Sequence, residues 1–299
     1  MLIKDYLLIL MAIRIYNMLG RSESMLINSI KMQMSEMLRK KTVVFTYFVL
    51  LIFVMANFIS NMLSYKDVQY VSQMFDPIKM LTLSDWSVSG YFMMEYYPLL
   101  VVIPTSCAFL TERGTGVRVY IQSKTGNISY WFGKLISVFL TTLLVFTIPF
   151  LIEIALSVIC FSMSSNGDPT NMPYYQTIES ESQFFLSKIS LSSRVLYAIT
   201  MTMLFGIISG ILAVFNFSLT SLRFFKFKIF TFFPIYILFY LIETIEKFKM
   251  PEYTLNYFFI LRMFNLSPKN NLLYAMFLMC LLLFSIILIG RKVKMDDTL

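Results

Sequence analysis

The stretch VVFTYFVLLIFVMANFISNM, residues Val43 to Met62, runs for twenty residues without a charge, and the basic cluster Arg39-Lys40-Lys41 lies just before it. A hydrocarbon core about 30 Å thick needs roughly 20 apolar residues per helical crossing. The stretch therefore predicts a membrane-spanning helix entered from the side that holds the cations. The chain around it has the same character. Of its 299 residues 58% are hydrophobic and 14% charged, with a mean hydropathy of +0.71, outside the range of soluble domains.

Five further spans follow along the chain. The second runs from Tyr96 to Leu110, carries Pro98 and Pro104, and stops at Thr111-Glu112-Arg113. The third, Leu135 to Met163, contains Pro149 and one acid, Glu153. In the fourth, Val195 to Leu219, Gly206 and Gly210 form a small-xxx-small pair that lets another helix approach closely in lipid. The fifth, Ile229 to Ile242, is short and aromatic, and the sixth, Leu272 to Ile289, ends at Gly290-Arg291-Lys292. Between the last two, Leu255 to Leu261 is apolar but too short to cross, which predicts a re-entrant or interfacial segment.

At the amino end, Tyr6 to Ile13 is a short apolar run without a cleavage site, read as interfacial. Ser24 to Lys41 places Met25, Ile27, Ile30, Met34, Met37 and Leu38 at near-helical spacing among charges, which suits a helix in the headgroup plane. The expected fold is all-α: residues 1–41 interfacial, 42–291 one six-span transmembrane domain, and 292–299 a tail. Leu63 to Glu95 and Ser164 to Arg194 are long loops on the outer side.

The net charge of +8 does not point to nucleic acid, because the cations sit at the edges of apolar runs. Most of them gather on one side if both termini are cytoplasmic. Lys247, Lys249, Arg262 and Lys269 run against that bias, on the stretch before the last span. The chain has no histidine, and Cys107, Cys160 and Cys280 fall in three separate apolar runs, so neither a metal site nor a cofactor is expected. No Gly-x-x-x-x-Gly-Lys-Ser/Thr loop is present to cradle nucleotide. Glu153 stands out as an acid inside a span, either contacting a transported molecule or satisfied by neighbours such as Ser157. An intramembrane enzyme would need clustered His, Asp or Glu in its spans, which this chain lacks.

The loop after the second span reads Thr111-Glu112-Arg113-Gly114-Thr115-Gly116-Val117-Arg118-Val119-Tyr120-Ile121-Gln122-Ser123-Lys124-Thr125-Gly126, and Gly133-Lys134 opens the next span. It resembles the corresponding loop of ABC-2-type transporter permeases, in which an acid-Arg-x-x-Gly element opens a cytoplasmic coupling helix, a small polar turn follows, and a Gly-Lys pair starts the next span. Lys124-Thr125-Gly126 stands where that family often has a proline. The resemblance extends in outline to the whole chain: an amphipathic elbow helix, six spans, inside termini and a re-entrant segment before the last span. It implies coupling contacts by Glu112, Arg113, Gly116, Val117, Arg118, Tyr120 and Ile121 to cytoplasmic ATP-binding-cassette ATPase subunits. It also implies a second permease copy, identical or paralogous, and export across a bacterial plasma membrane of an amphipathic peptide, drug or lipid. The other reading is a non-transporting immunity or sensor protein that binds a peptide at its outer loops.

Overall fold

The computed structural model describes residues 25–66, 70–71, 74–106, 117–163, 184–222, 225, 227–248, 255–265 and 271–297. Helix α1 covers 25–38. It is followed by α2 (Lys41–Ser64), α3 (Val88–Glu95), α4 (Tyr97–Ser106), α5 (Val117–Thr125), α6 (Asn127–Cys160), α7 (Ser187–Ser192) and α8 (Arg194–Thr220). A 3-10 turn at Lys228–Phe232 leads into α9 (Phe233–Phe248), then α10 (Tyr257–Ile260) and α11 (Asn271–Asp297). The Tyr6 to Ile13 run and most of the second long loop lie outside the described residues.

Among the described residues four helices are long and apolar enough to cross a bilayer: Lys41–Ser64, Asn127–Cys160, Arg194–Thr220 and Leu272–Met295. Six crossings were expected, and the remaining two segments are built differently. The second starts close to where it was expected, as α4 (Tyr97–Ser106), with the short α3 just before it in the stretch read as a loop, and its expected exit at Leu110 falls outside the described residues. The fifth is a 3-10 turn running into α9, with Ile229–Thr244 as its apolar stretch. The third span begins eight residues before Leu135. At 34 residues α6 is about 50 Å long at roughly 1.5 Å per residue, so its first turns project beyond a hydrocarbon core. The last helix does not stop at Ile289 but continues to Asp297, where Asn127 Nδ2 donates to the Val293 carbonyl at 3.1 Å.

Helix α8 is the centre of the bundle: 72% of its apolar window is buried, against 22% for α11. It packs on α6, α11 and α4, while α2 covers α6, α3 and α4. Gly206 and Gly210 form the contact with α6. A Cβ on Gly210 would come within 2.7 Å of Phe139 Cδ2, and one on Gly206 would strike Thr147. The small-xxx-small spacing thus does in this chain what it predicts, bringing two helices close enough to gain dispersion energy where lipid offers no hydrophobic driving force.

The amino-terminal helix turns a different face inward from the one its apolar spacing suggests. Ser29, Gln33 and Met37 are buried, while Met25, Ile27, Met32 and Leu38 are exposed. Gln33 Nε2 donates to the Tyr130 carbonyl at 3.1 Å, Ser137 Oγ donates to the Ile30 carbonyl at 3.2 Å, and Gly133 leaves the space into which Ser29 fits. The Tyr130 carbonyl, the Ser137 hydroxyl and the space at Gly133 select the Ser29–Gln33 stripe, and apart from Met37 the named apolar residues face outward.

Replacing Gly210 by Leu should lower the thermal midpoint of the purified protein in nanodiscs by the equivalent of roughly 1–3 kcal/mol, since overpacking a tight contact forces both helices to shift. Gly290→Leu, where an added Cβ meets nothing within 4 Å, should leave the midpoint unchanged.

Candidate functional site

The bundle has two ends of different construction. At the base, α5 is a nine-residue helix set between α4 and α6. It is joined to α6 through Gly126, whose φ of 80° and ψ of 155° lie where a side chain is strained. Gly126 N–H donates back to the Gln122 carbonyl at 2.9 Å, and Tyr130 N–H donates to the Gly126 carbonyl at 3.0 Å. Gln122 Nε2 donates to Asn127 Oδ1 at 2.9 Å across the same corner. With Asn127 also tied to the end of α11, the corner is held by three segments.

Of the residues the sequence singles out here, Glu112, Arg113 and Gly116 lie outside the described residues. Val117 and Arg118 form the first turn of α5. Ile121 is buried, and Thr125 Oγ1 donates to its carbonyl at 2.9 Å. Tyr120 is exposed, as is Val119, and Lys124 Nζ sits 4.4 Å from the Tyr120 ring centroid. The helix therefore anchors through Ile121 and presents Val119 and Tyr120 outward.

At the other end, residues 76–87 fold back onto the bundle as a largely buried, non-helical segment. Glu153, in α6, is 1% exposed. Its Oε1 accepts three hydrogen bonds: from Asn57 Nδ2 at 2.8 Å, Thr82 N–H at 2.9 Å and Thr82 Oγ1 at 2.7 Å. Asn57 Nδ2 and Asn61 Nδ2 both donate to the Met80 carbonyl, at 2.8 and 2.9 Å, and Ser87 Oγ donates to Asn57 Oδ1 at 2.9 Å. Ser87 in turn caps α3 by accepting from Gly90 N–H. The expected neighbour Ser157 is buried one turn further along, but the donors on the carboxylate come from α2 and the folded-back segment.

A second latch closes this cap from the carboxyl-terminal side. Met263 N–H donates to the Leu83 carbonyl at 2.8 Å, and Asp85 N–H donates to the Met263 carbonyl at 3.0 Å. Arg262, 5% exposed, donates through Nη2 to the carbonyls of Asp85 and Ser84 and pairs through Nη1 with Asp85 Oδ1 at 3.1 Å. Its guanidinium lies 5.3 Å from the Phe258 centroid and 6.0 Å from that of Tyr91. Asp76 holds the near edge, pairing with Arg194 at the start of α8 at 2.7 Å. Burial pushes the Asp76 carboxyl above its ordinary value, and the Arg194 charge opposes that rise. Below the cap Tyr97 is a hub: its hydroxyl meets Ser209 Oγ at 3.0 Å and its ring stacks on Tyr257 at 5.2 Å. The stretch read as re-entrant is here one helical turn, α10, packed on that ring.

The sequence flagged Glu153 but not Asn57, Thr82, Asp85 or Tyr97, and it gave Arg262 only as a cation out of place. Asn57 and Asn61, four apart on one face of an otherwise apolar helix, were the available signal. Among the described residues no cluster of three or more His, Cys, Asp or Glu is placed to hold a metal ion.

Glu153→Gln keeps an oxygen for Thr82 and should melt close to the parent protein. Glu153→Leu strips the acceptor from three donors, of which Asn57 Nδ2 keeps the Met80 carbonyl, and should cost roughly 1–3 kcal/mol per orphaned group. The check is thermal unfolding together with protease cleavage between residues 76 and 87, which should accelerate only in the Leu variant. No family model, no curated protein and no solved structure matches this chain.

Proposed function

We propose that this chain is the membrane-spanning permease subunit of an ATP-binding-cassette exporter of the ABC-2 type. It moves an amphipathic or hydrophobic molecule outward across a bacterial plasma membrane, using ATP hydrolysed by separate cytoplasmic subunits. The observation that carries the reading is helix α5. It directly follows the Glu112-Arg113-x-x-Gly116 element, is fixed in orientation by the Gly126 corner and the Asn127 to Val293 bond, and presents Val119 and Tyr120. A short helix that a partner must grip has to be rigid and to offer apolar anchors, and this one meets both requirements.

Other features support the same assignment. The base carries Arg39, Lys40 and Lys41 before α2 and Arg291, Lys292 and Lys294 at the end of α11, the side that positive charge marks as cytoplasmic. The exposed Met25, Ile27, Met32 and Leu38 suit α1 to an elbow helix dipping into headgroups. The α3–α4 pair and the 3-10 turn with α9 serve as the second and fifth crossings. Helices α2 and α11, the least buried of the four long helices, leave apolar faces for lipid and a second permease copy.

Val119→Asp/Tyr120→Ala, compared with the parent chain purified gently from its host, should lose more than about tenfold of a co-purifying ATPase, the effect of removing central anchors. Its thermal midpoint should not change, because both side chains are exposed. If no ATPase accompanies the parent chain, the exporter reading is wrong.

A further inference from the structure

Between the basal end of α8 and the start of α9 lies an apolar groove of about 480 Å³, lined by Phe215 and Leu219 of α8, Phe225 and Phe230 of the connection, and Ile237 and Leu241 of α9. Phe230, Ile237 and Leu241 are exposed, so the groove opens sideways, toward lipid in a chain whose long apolar helices cross a bilayer. On α9 its wall runs from Phe233 to Leu241, about 12 Å at roughly 1.5 Å per residue, and one hydrocarbon leaflet is about 15 Å deep. The rings of Phe227, Phe230 and Phe233 form a ladder at its mouth, with centroids 5.9 Å apart at each step. An acyl chain fits that length and those walls, and an empty groove would forfeit the dispersion contacts the chain supplies.

Apolar walls do not tell one lipid from another, but the charge beside them does. Phe225 belongs to the stretch Arg223-Phe224-Phe225-Lys226-Phe227-Lys228, which puts three cations within six residues of chain around a wall residue. Lys228 opens the 3-10 turn that carries Phe230. The sequence has no Asp or Glu between Glu181 and Glu243, so the stretch brings no acid of its own to offset that charge. Lys and Arg at the membrane surface attract anionic headgroups, each worth roughly fivefold in affinity. We propose that the groove is a binding site for one anionic phospholipid, with an acyl chain between α8 and α9 and its phosphate at the Arg223–Lys228 stretch. A zwitterionic lipid brings the same chain without the net charge and binds more weakly. A lipid held there braces the short α9 against α8. The site requires only that the helices span a bilayer and does not rest on the exporter reading.

The test uses the full chain in phosphatidylcholine nanodiscs that hold a trace of one of two photolabile lipids. One is a phosphatidylglycerol and the other a phosphatidylcholine, both with the same diazirine-bearing acyl chain, and the cross-linked peptides are mapped by mass spectrometry. Peptides that contain Phe215, Ile237 or Leu241 should take up the phosphatidylglycerol in preference by roughly fivefold or more. The exposed Ile52 and Leu283, on α2 and α11, should take up both lipids equally. Arg223→Gln/Lys226→Gln/Lys228→Gln should remove the preference and leave phosphatidylcholine labelling of the groove unchanged, which reports that the groove still forms. Lys226→Gln alone, a smaller change, should already lower it. Unlabelled phosphatidylglycerol should displace the label, and excess inorganic phosphate should not. Equal labelling of the groove by the two lipids, an equal preference at Ile52 and Leu283, a preference that survives the triple substitution, or displacement by inorganic phosphate each overturns the proposal.

Discussion

A chain that leaves the helical path inside an apolar bundle must find new partners for every backbone N–H and C=O it frees, because lipid offers none. Residues 76–87 do this, and the capped end of the molecule is organised around meeting their demand. The Met80 carbonyl is taken by two asparagines of α2, the Thr82 amide by the carboxylate of Glu153, and the Ser84 and Asp85 carbonyls by Arg262. Each donor or acceptor comes from a different helix or segment, so the folded-back stretch cross-links α2, α6 and the approach to α11. Loss of the bonds from Glu153 or Asn57 weakens the hold of the segment on the bundle, while Asn61, Arg262 and Met263 still bond to it.

The intramembrane acid of this chain belongs to the cap. A carboxylate in a span signals either a contact with something that passes or an anchor for something that stays. Three short hydrogen bonds converging on Oε1, two of them from a segment 71 residues away, are the signature of an anchor.

Much of the helical frame was legible in the sequence, because span length and charge placement are local. Val43 to Met62 and Val195 to Leu219 match α2 and α8 within a few residues, and the Gly206–Gly210 contact followed from spacing alone. The start of the second segment at Tyr96 and the short fifth from Ile229 were placed as well, although hydropathy did not register the helix before Tyr96 or the 3-10 start at Lys228. Of the cap only Glu153 and the misplaced charge of Arg262 were legible. Its bonds join residues as far apart as Ser84 and Arg262, and a run read as an outer loop gives no sign that it will turn inward. Nor did the apolar spacing of α1 reveal its buried face, because the choice of Ser29 and Gln33 was made by the Tyr130 carbonyl and the small Gly133 on another helix.

One element joins the basal corner directly to the anchor of the cap. Helix α6 begins at the Gly126 corner, which fixes α5, and passes without interruption through Pro149 to Glu153, which fixes the cap. A 34-residue helix is stiff, so a force that tilts α5 is delivered along α6 rather than dissipated in a loop. Its weakest point is Pro149, which has no N–H to give to the Val145 carbonyl and crowds that turn. That point lies one turn below Glu153, so bending there would move the anchor relative to Tyr97 and α8 while leaving the basal corner intact. Under the exporter reading this is the geometry the cycle needs: a grip at one end, a latch at the other, and a single deformable turn next to the latch.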